Sequence, residues 1–270
     1  MAVHYNTQTQ EPYLRLPEPH ANIIITPHRP NQIDETSSAL VRILNDPLVA
    51  LRLQRTPYPY SKSDGEEWVK ANCKEQEEVL LFLRNELEDP GNSVVEKDAA
   101  KVYQKRPILD TCPFTCIREV LKTDSKNGAP LEDILIGDIR LARSSFDDYP
   151  EESEERAQAQ KQNNDLPAGD ERIVWSLGAR LLDFLAPSHH GRGIMTLAVR
   201  TIIHDWAVPR MNVRHLTSWA FEDNEGSLRV FEKNNFLRGT TLKNWASVSE
   251  SRGDGKKSIV GMRWAGLDHR

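Results

Sequence analysis

The sequence predicts an α/β (α+β) fold, and three observations carry that prediction. Short β-branched runs alternate with segments whose apolar residues recur at helical spacing, in the order strand, helix, helix, strands, then strand, helix, strand, helix, strands. Over 270 residues, 38% hydrophobic and 28% charged side chains supply core enough for one large domain and exclude intrinsic disorder. No stretch approaches the roughly 18 consecutive apolar residues of a membrane span. One embellished domain is therefore expected over 21–270, preceded by an arm and carrying insertions at about 89–111 and 144–171.

The elements follow in order. Residues 1–20 are rich in Pro, His and polar groups without periodicity and read as an extended arm. Ile23-Ile24-Ile25-Thr26 is a short strand bounded by Pro27 and Pro30. Ile33, Ala39, Leu40, Ile43 and Leu44 mark an amphipathic helix that Asn45-Asp46-Pro47 stops. A second helix opens at Ser63, which has capping-box spacing to Glu66, and carries Trp68, Val69, Ala71 and Cys73. Val79–Leu83 fits strand or helix equally. Phe114–Lys122 and Ile134–Arg143 read as strands of an antiparallel hairpin turning near Asn127-Gly128. The polar, Gln- and Asn-rich stretch from Ser144 to Asp170 reads as a mobile loop.

Arg172–Ala186 is strongly apolar and ends at Pro187, which suggests one central strand. A turn, Ser188-His189-His190-Gly191-Arg192-Gly193, leads straight into a helix. There Ile194, Ala198 and Ile202 form one stripe and Met195, Val199, Ile203 and Trp206 the next, so most of its circumference is apolar and it packs on a sheet. Pro209 is expected to end it. A strand at Val213–Phe221, a helix from Asn224 to Asn234-Asn235, and strands at Phe236–Leu242 and Ser258–Trp264 complete the chain.

Charge and cysteine content narrow the setting. The net charge is −5, but the segment Asp147–Arg172 alone holds nine acids against three bases, so the remainder is close to neutral. A neutral body argues against nucleic-acid and membrane-surface partners, which need clustered Lys and Arg. Cys73, Cys112 and Cys116 are too few and too odd in number for a disulfide framework, and Met1–Gln10 lacks the order of a secretory signal. The expectation is a cytoplasmic or nuclear protein. Cys112-Pro113-Phe114-Thr115-Cys116 lacks a second ligand pair, so no metal site is expected.

The segment that bears chemistry is the turn Gly191-Arg192-Gly193 between a buried strand and a buried helix. Glycine there lets the backbone turn tightly and lets an anion approach the first-turn N–H groups, as in a pyrophosphate site. The turn has neither the third glycine of a dinucleotide fingerprint nor the Lys-Ser/Thr of a P-loop. Arg192, inside the turn, is placed to pair with phosphate or to stand in solvent. Further on, Asn224-Glu225-Gly226-Ser227 opens a helix that continues through Phe231-Glu232-Lys233 to Phe236.

These two motifs, Ser188–Gly193 and Asn224/Ser227/Glu232/Lys233/Phe236, resemble in order and spacing those of the GNAT N-acetyltransferases, in particular the RimJ/RimL-like branch. The likeness is clear from Ile134 to Leu242 and looser from Ile23 to Glu88. It implies a mixed, mostly antiparallel central sheet with helices on both faces and a splayed strand pair that holds acetyl-CoA as co-substrate. The pyrophosphate would rest on the amides of His190, Gly191, Arg192, Gly193 and Ile194. The pantetheine arm would pair with the backbone at Leu185 and Ala186, and Asn224, Ser227 and Phe231 would complete the binding site. The acceptor would be a small-molecule or protein amine, attacked directly in a ternary complex, by a monomer or homodimer.

Three positions depart from the family pattern. Ser188 replaces Gln or Arg, Asn235 replaces a glycine, and Phe231 stands where many members carry a tyrosine that protonates the leaving thiolate. Asp183, late on the cofactor strand, is the candidate base acting through water, with Glu222 and Asp223 as alternatives. Without an evident acid, the other reading is a non-catalytic acyl-CoA-binding or scaffold module. Asn224 also suits a purely local role, capping its helix at Ser227.

Overall fold

Ile23, Ile24 and Ile25 are all buried, and around them the chain builds a six-stranded sheet. The computed structural model describes residues 3–88, 107–178, 183–252 and 255–266. Most of the expected insertion at 89–111 therefore lies outside the described residues. The elements begin with β1 (His4–Tyr5), β2 (Pro12–Arg15), β3 (Ile23–Thr26), α1 (Ile33–Leu44), α2 (Pro47–Ala50) and α3 (Lys62–Glu88). Then come β4 (Cys116–Thr123), β5 (Pro130–Asp138), β6 (Leu141–Arg143), α4 (Glu154–Asn164), β7 (Val174–Leu177) and β8 (Phe184–Leu185). The last third holds α5 (Ile194–Thr201), α6 (Val208–Met211), β9 (His215–Phe221), α7 (Glu225–Glu232), β10 (Phe236–Ser247) and β11 (Lys256–Trp264).

Two sheets share the strands. One runs β1-β2-β3-β4-β5-β8 with every neighbouring pair antiparallel. The other runs β10-β11-β9-β7-β6, antiparallel except for the parallel pair β7 and β9. This is the mixed, mostly antiparallel architecture expected. The helical hairpin of α1 and α3 covers one face through Leu40, Ile43, Leu44 and Val69. On the other side the α5 helix lies in the larger core with Trp175, Trp206 and Leu216. Among the described residues, no helix is long and apolar enough to cross a membrane.

Several expectations are corrected. The extended arm does not stand free: β1 pairs with β2 and β2 with β3, so its two short strands join the first sheet. α3 is a single 27-residue helix that absorbs Val79–Leu83. Its buried positions, Gly65, Val69, Asn72, Gln76, Val79 and Leu83, step by three and four along one face. Its capping box is Ser61 with Asp64, two residues before the expected pair: Asp64 N–H donates to Ser61 Oγ (3.2 Å) and Ser61 N–H to Asp64 Oδ2 (2.8 Å). The polar stretch after Ser144 contains α4, because Ser153 caps it and Arg156 and Asn163 turn inward; Asn163 exchanges hydrogen bonds with Val174 on β7. Pro209 does not end its helix. A π-helical stretch, Ile202–Ala207, shifts the hydrogen-bond register just before it, and the helix continues through α6 to Asn212 in the left-handed conformation.

The largest correction concerns the central strand expected over 172–186. Residues 174–177 belong to the second sheet and 184–185 to the first, with 179–182 outside the described residues. The neighbouring chain changes sheet at the same level, between β5 and β6. Arg140 ties the two crossings together: its carbonyl accepts from Gly178 N–H (3.0 Å) and its own N–H donates to Asp183 Oδ1 (2.9 Å). Gly178 is required there, since its φ is +69° and a Cβ would come within 3.0 Å of the Asp183 carboxylate. An apolar run hides such a break, because both halves are equally buried.

Candidate active site

The splay opens a cleft of about 570 Å³. Asp183 and Leu185 stand at its β8 wall, the Gly191/Gly193 turn and α5 at one end, and α7 opposite. Of the residues singled out from sequence, Asp183, Leu185, His190, Gly191, Gly193, Ile194, Asn224, Ser227 and Phe231 line this one cleft. Ala186 and Arg192 do not.

The turn geometry follows from its glycines. Gly191 has φ +72° and Gly193 φ +80°, a region where a side chain is strained, and no atom lies within 4 Å of where either Cβ would stand. The open space is what a close-lying ligand needs. Gly193 is the N-cap of α5, and among the described residues no side chain caps that helix, so its first-turn N–H groups are open to solvent or ligand. On the outer side, His20 Nε2 donates to the Arg192 carbonyl (2.7 Å), which fixes the turn from the N-terminal segment. Arg192 itself is exposed.

Two backbone assignments need revision. His190 N–H donates to the Pro187 carbonyl (3.1 Å), so the row of unengaged amides starts at Gly191. Ala186 is fully engaged as well: its N–H donates to Ile136 (2.6 Å) and its carbonyl accepts from His189 N–H (2.9 Å). In this register Leu185 is the residue of β8 whose backbone points away from β5, with its carbonyl accepting from His190 Nε2 (2.8 Å).

The α7 wall behaves as its sequence suggests. Asn224 Oδ1 accepts from Ser227 N–H (3.2 Å), the local cap, while both residues border the cleft. Phe231 is buried and packs on Phe236 with ring centroids 5.1 Å apart, so no hydroxyl is offered there. Asn235 adopts φ +63°, the left-handed conformation for which Asn is the best replacement for glycine. Sequence reasoning missed two cations at the cleft, Arg52 and Arg229. Lys233 was legible as part of a motif, but Arg52 comes from the turn that follows α2, with no spacing signal to connect it.

Asp183 is the most perturbed acid at the cleft. Burial pushes its carboxyl up to about 8, the charge of Asp138 adds to this, and the Arg140 N–H opposes it. Its Oδ2 has no hydrogen-bond partner among the described residues. The alternative bases are surface ion pairs: Glu222 with Lys243, and Asp223 with Arg52. Behind Asp183, Asp138 approaches His28, whose imidazole is raised to about 10 because Cys116 and Asp138 outweigh the opposing effect of burial.

Comparison with known proteins agrees with this geometry. Residues 132–237 match the family model described as an acetyltransferase (GNAT) domain. Among solved structures, an acetyltransferase of the GNAT family from Bacillus anthracis aligns over 93% of this chain and 96% of its own, at 10% identity and a TM-score of 0.51. RimL, a ribosomal L7/L12 alpha-N-protein acetyltransferase, aligns in its apo form over 97% and 98% at 11% identity and a TM-score of 0.53. Its complex with coenzyme A aligns over 93% and 96% at 12% identity and a TM-score of 0.51. No curated protein sequence matches this chain. The fold is thus that of the GNAT acetyltransferase structures, and residues 132–237 match that family's domain model.

Proposed function

We propose that the protein transfers an acetyl group from acetyl-CoA to a primary amine by direct attack in a ternary complex. The observation that carries this reading is the single cleft that joins an uncapped, glycine-turned helix N-terminus to a buried carboxyl, Asp183. The amides from Gly191 to Ile194 would hold the pyrophosphate, where the helix dipole favours negative charge. Leu185 would offer its outward backbone to the pantetheine arm. Bound there, acetyl-CoA supplies an activated acyl group.

The remaining work falls to proximity and proton transfer. Asp183 takes the proton that the amine must lose, directly or through one water, and a carboxyl raised to about 8 is far better matched to an ammonium than an ordinary one. Phe231 offers the leaving thiolate no acid, so solvent protonates it. That same residue favours a second reading, an acyl-CoA-binding module without turnover.

A coenzyme A release assay with acetyl-CoA and a panel of amines separates the two. The panel includes a peptide α-amine, the kind of acceptor for which RimL, an alpha-N-protein acetyltransferase, is named, beside lysine side chains and small amines. Release with at least one amine is expected; tight calorimetric binding with no release for any amine favours the module. Gly191→Glu should weaken acetyl-CoA binding at least about tenfold, through left-handed strain and charge repulsion at the turn. Unchanged affinity would reject the cradle.

A further inference from the structure

Three adjacent strands of the first sheet end at one level. Thr26 on β3 is the register partner of Cys116 on β4, and Cys116 is the register partner of Asp138 on β5. His28 follows Thr26 by two residues, and its backbone N–H is held by Gln76 Oε1 on α3 (3.0 Å). The side chains of His28, Cys116 and Asp138 thereby meet in the interior, all but fully buried at 2%, 0% and 1% exposure.

The polar atoms of His28 and Asp138 stand within ion-pair reach of one another. Among the described residues, however, neither ring nitrogen of His28 and neither carboxylate oxygen of Asp138 makes a hydrogen bond. Buried groups of this kind are normally satisfied, so four such atoms in one place require an explanation. The His28 Nε2 to Asp138 Oδ2 distance is 3.5 Å. A charge-assisted hydrogen bond would be about 2.7–2.9 Å. Two donors sharing a tetrahedral ion, at bonds of about 2.0–2.3 Å, stand roughly 3.3–3.7 Å apart. One donor atom from each of the three residues lies within 4.8 Å of the others.

We infer that His28, Cys116 and Asp138 form a binding site for a divalent transition metal, with Zn²⁺ the ion that suits one nitrogen, one sulfur and one oxygen donor. The donors are scattered over more than a hundred residues, which is why no Cys or His spacing announces them and why the sequence led to the expectation of no metal. Such an ion would tie together the ends of β3, β4 and β5. Asp138 is also the register partner of Phe184, the neighbour of Asp183, so the tie lies directly behind the cleft. The inference is independent of acetyl transfer and is tested by binding.

The purified full-length protein, stripped with chelator, is dialysed against Zn²⁺ or Co²⁺ alone. One equivalent should bind, the cobalt form should show a thiolate-to-metal charge-transfer band, and Zn²⁺ should raise the melting temperature. Cys116→Ser should abolish the band, and His28→Gln and Asp138→Asn should each weaken Zn²⁺ binding at least about tenfold. X-ray absorption on the wild-type zinc protein needs no variant to fold and should give one sulfur among nitrogen and oxygen neighbours. No stoichiometric binding, a zinc shell without sulfur, or equal affinity in Cys116→Ser would overturn the inference.

Discussion

Two buried polar clusters share β4 and β5, and the fold treats them in opposite ways. In the first, Asp133 is held by Arg118 Nη1 (3.0 Å) and by two nitrogens of Arg29 (2.9 Å each), while Arg118 Nε donates to Thr26 (3.1 Å) and Arg29 also pairs with Glu11. In the second, five residues along β5, Asp138 and its neighbours His28 and Asp183 carry side-chain atoms without partners among the described residues. The first cluster has its charges matched and its lone pairs occupied, so it serves to lock the sheet. The second leaves polar capacity unused at the splay, and unused capacity in a buried place is what a proton, an ion or a substrate can exploit.

The largest expected effect breaks the second cluster. Asp183→Asn keeps the acceptor for the Arg140 N–H but loses the base, so kcat should fall by about 10²–10⁴-fold, the usual worth of general-base catalysis. In the wild type, activity should climb with pH as this carboxyl ionises near 8, and the variant should lose that limb. Stability carries the opposite sign. The folded value lies above the unfolded one, about 3.9, so between these values the native state holds a proton that the unfolded chain has lost. Wild-type stability contributed by this group therefore declines from about pH 4 to 8, and denaturant unfolding of Asp183→Asn should lack that decline. An unaltered pH–rate profile in the variant would remove Asp183 from the mechanism.

Breaking the first cluster should leave chemistry alone and cost folding free energy instead. Arg118→Met removes one of the two arginines on Asp133 and the donor to Thr26, leaving Arg29 alone on the carboxylate, at an expected cost of about 3 kcal/mol by urea denaturation for one charged and one neutral hydrogen bond. Its kcat should stay near that of the wild type under conditions where it is folded. A loss below about 1 kcal/mol would mean that the matched cluster contributes little to the sheet.

Smaller and confined to acid is the proton linkage of Asp133. Arg29 and Arg118 outweigh the burial that would raise it and hold its carboxyl below the usual range. The sign here is the reverse of Asp183: the stabilisation is complete above the unfolded value of about 3.9 and is lost as pH falls through the lower folded value. Asp133→Asn should be clearly less stable than wild type at neutral pH, with the gap narrowing once both carry an uncharged group. A gap constant down to the acid limit would show that Asp133 does not titrate with folding.

How legible each cluster was depends on how its parts are distributed along the chain. α1 was readable end to end, because its apolar stripe is closed by Asn45-Asp46-Pro47. The turn at Gly191–Gly193 and the helix opened by Asn224 were readable because each packs its chemistry into a few consecutive residues. The break between β7 and β8 was not, since Leu177 and Phe184 are both buried and differ only in which sheet they join. α4 was hidden by composition: its inward residues are Arg156 and Asn163, so hydrophobic periodicity has nothing to register. His28, Cys116 and Asp138 meet only through strand register, which a single sequence does not display.

The acidic segment sharpens the comparison at its weakest end, because it is a third cluster, largely exposed and partly neutralised by ion pairs. Of its nine acids, Asp147, Glu151, Asp165, Asp170 and Glu171 stand in ion pairs, with Arg156, Arg55, Lys161, Arg172 and Arg214. Asp147 and Glu151 line a small cavity of about 280 Å³ with Tyr149 and Trp245, so an acceptor that used it would meet carboxylates already matched by arginines. The −6 read from sequence already nets the segment's own three bases, and Arg55 and Arg214 from elsewhere in the chain bring it to about −4, a weaker lure for cationic amines than the charge count implies. Deleting the segment would remove the inward Arg156 and Asn163 along with the charge, so neutralisation is the cleaner probe. Asp148→Asn with Glu152→Gln should raise the acceptor's KM by no more than about twofold at low salt, the scale of exposed charges at roughly 0.2–0.5 kcal/mol, and by nothing measurable at 0.15 M, where screening acts within about 8 Å. A tenfold rise that persists in salt would place the acceptor in direct contact with these acids.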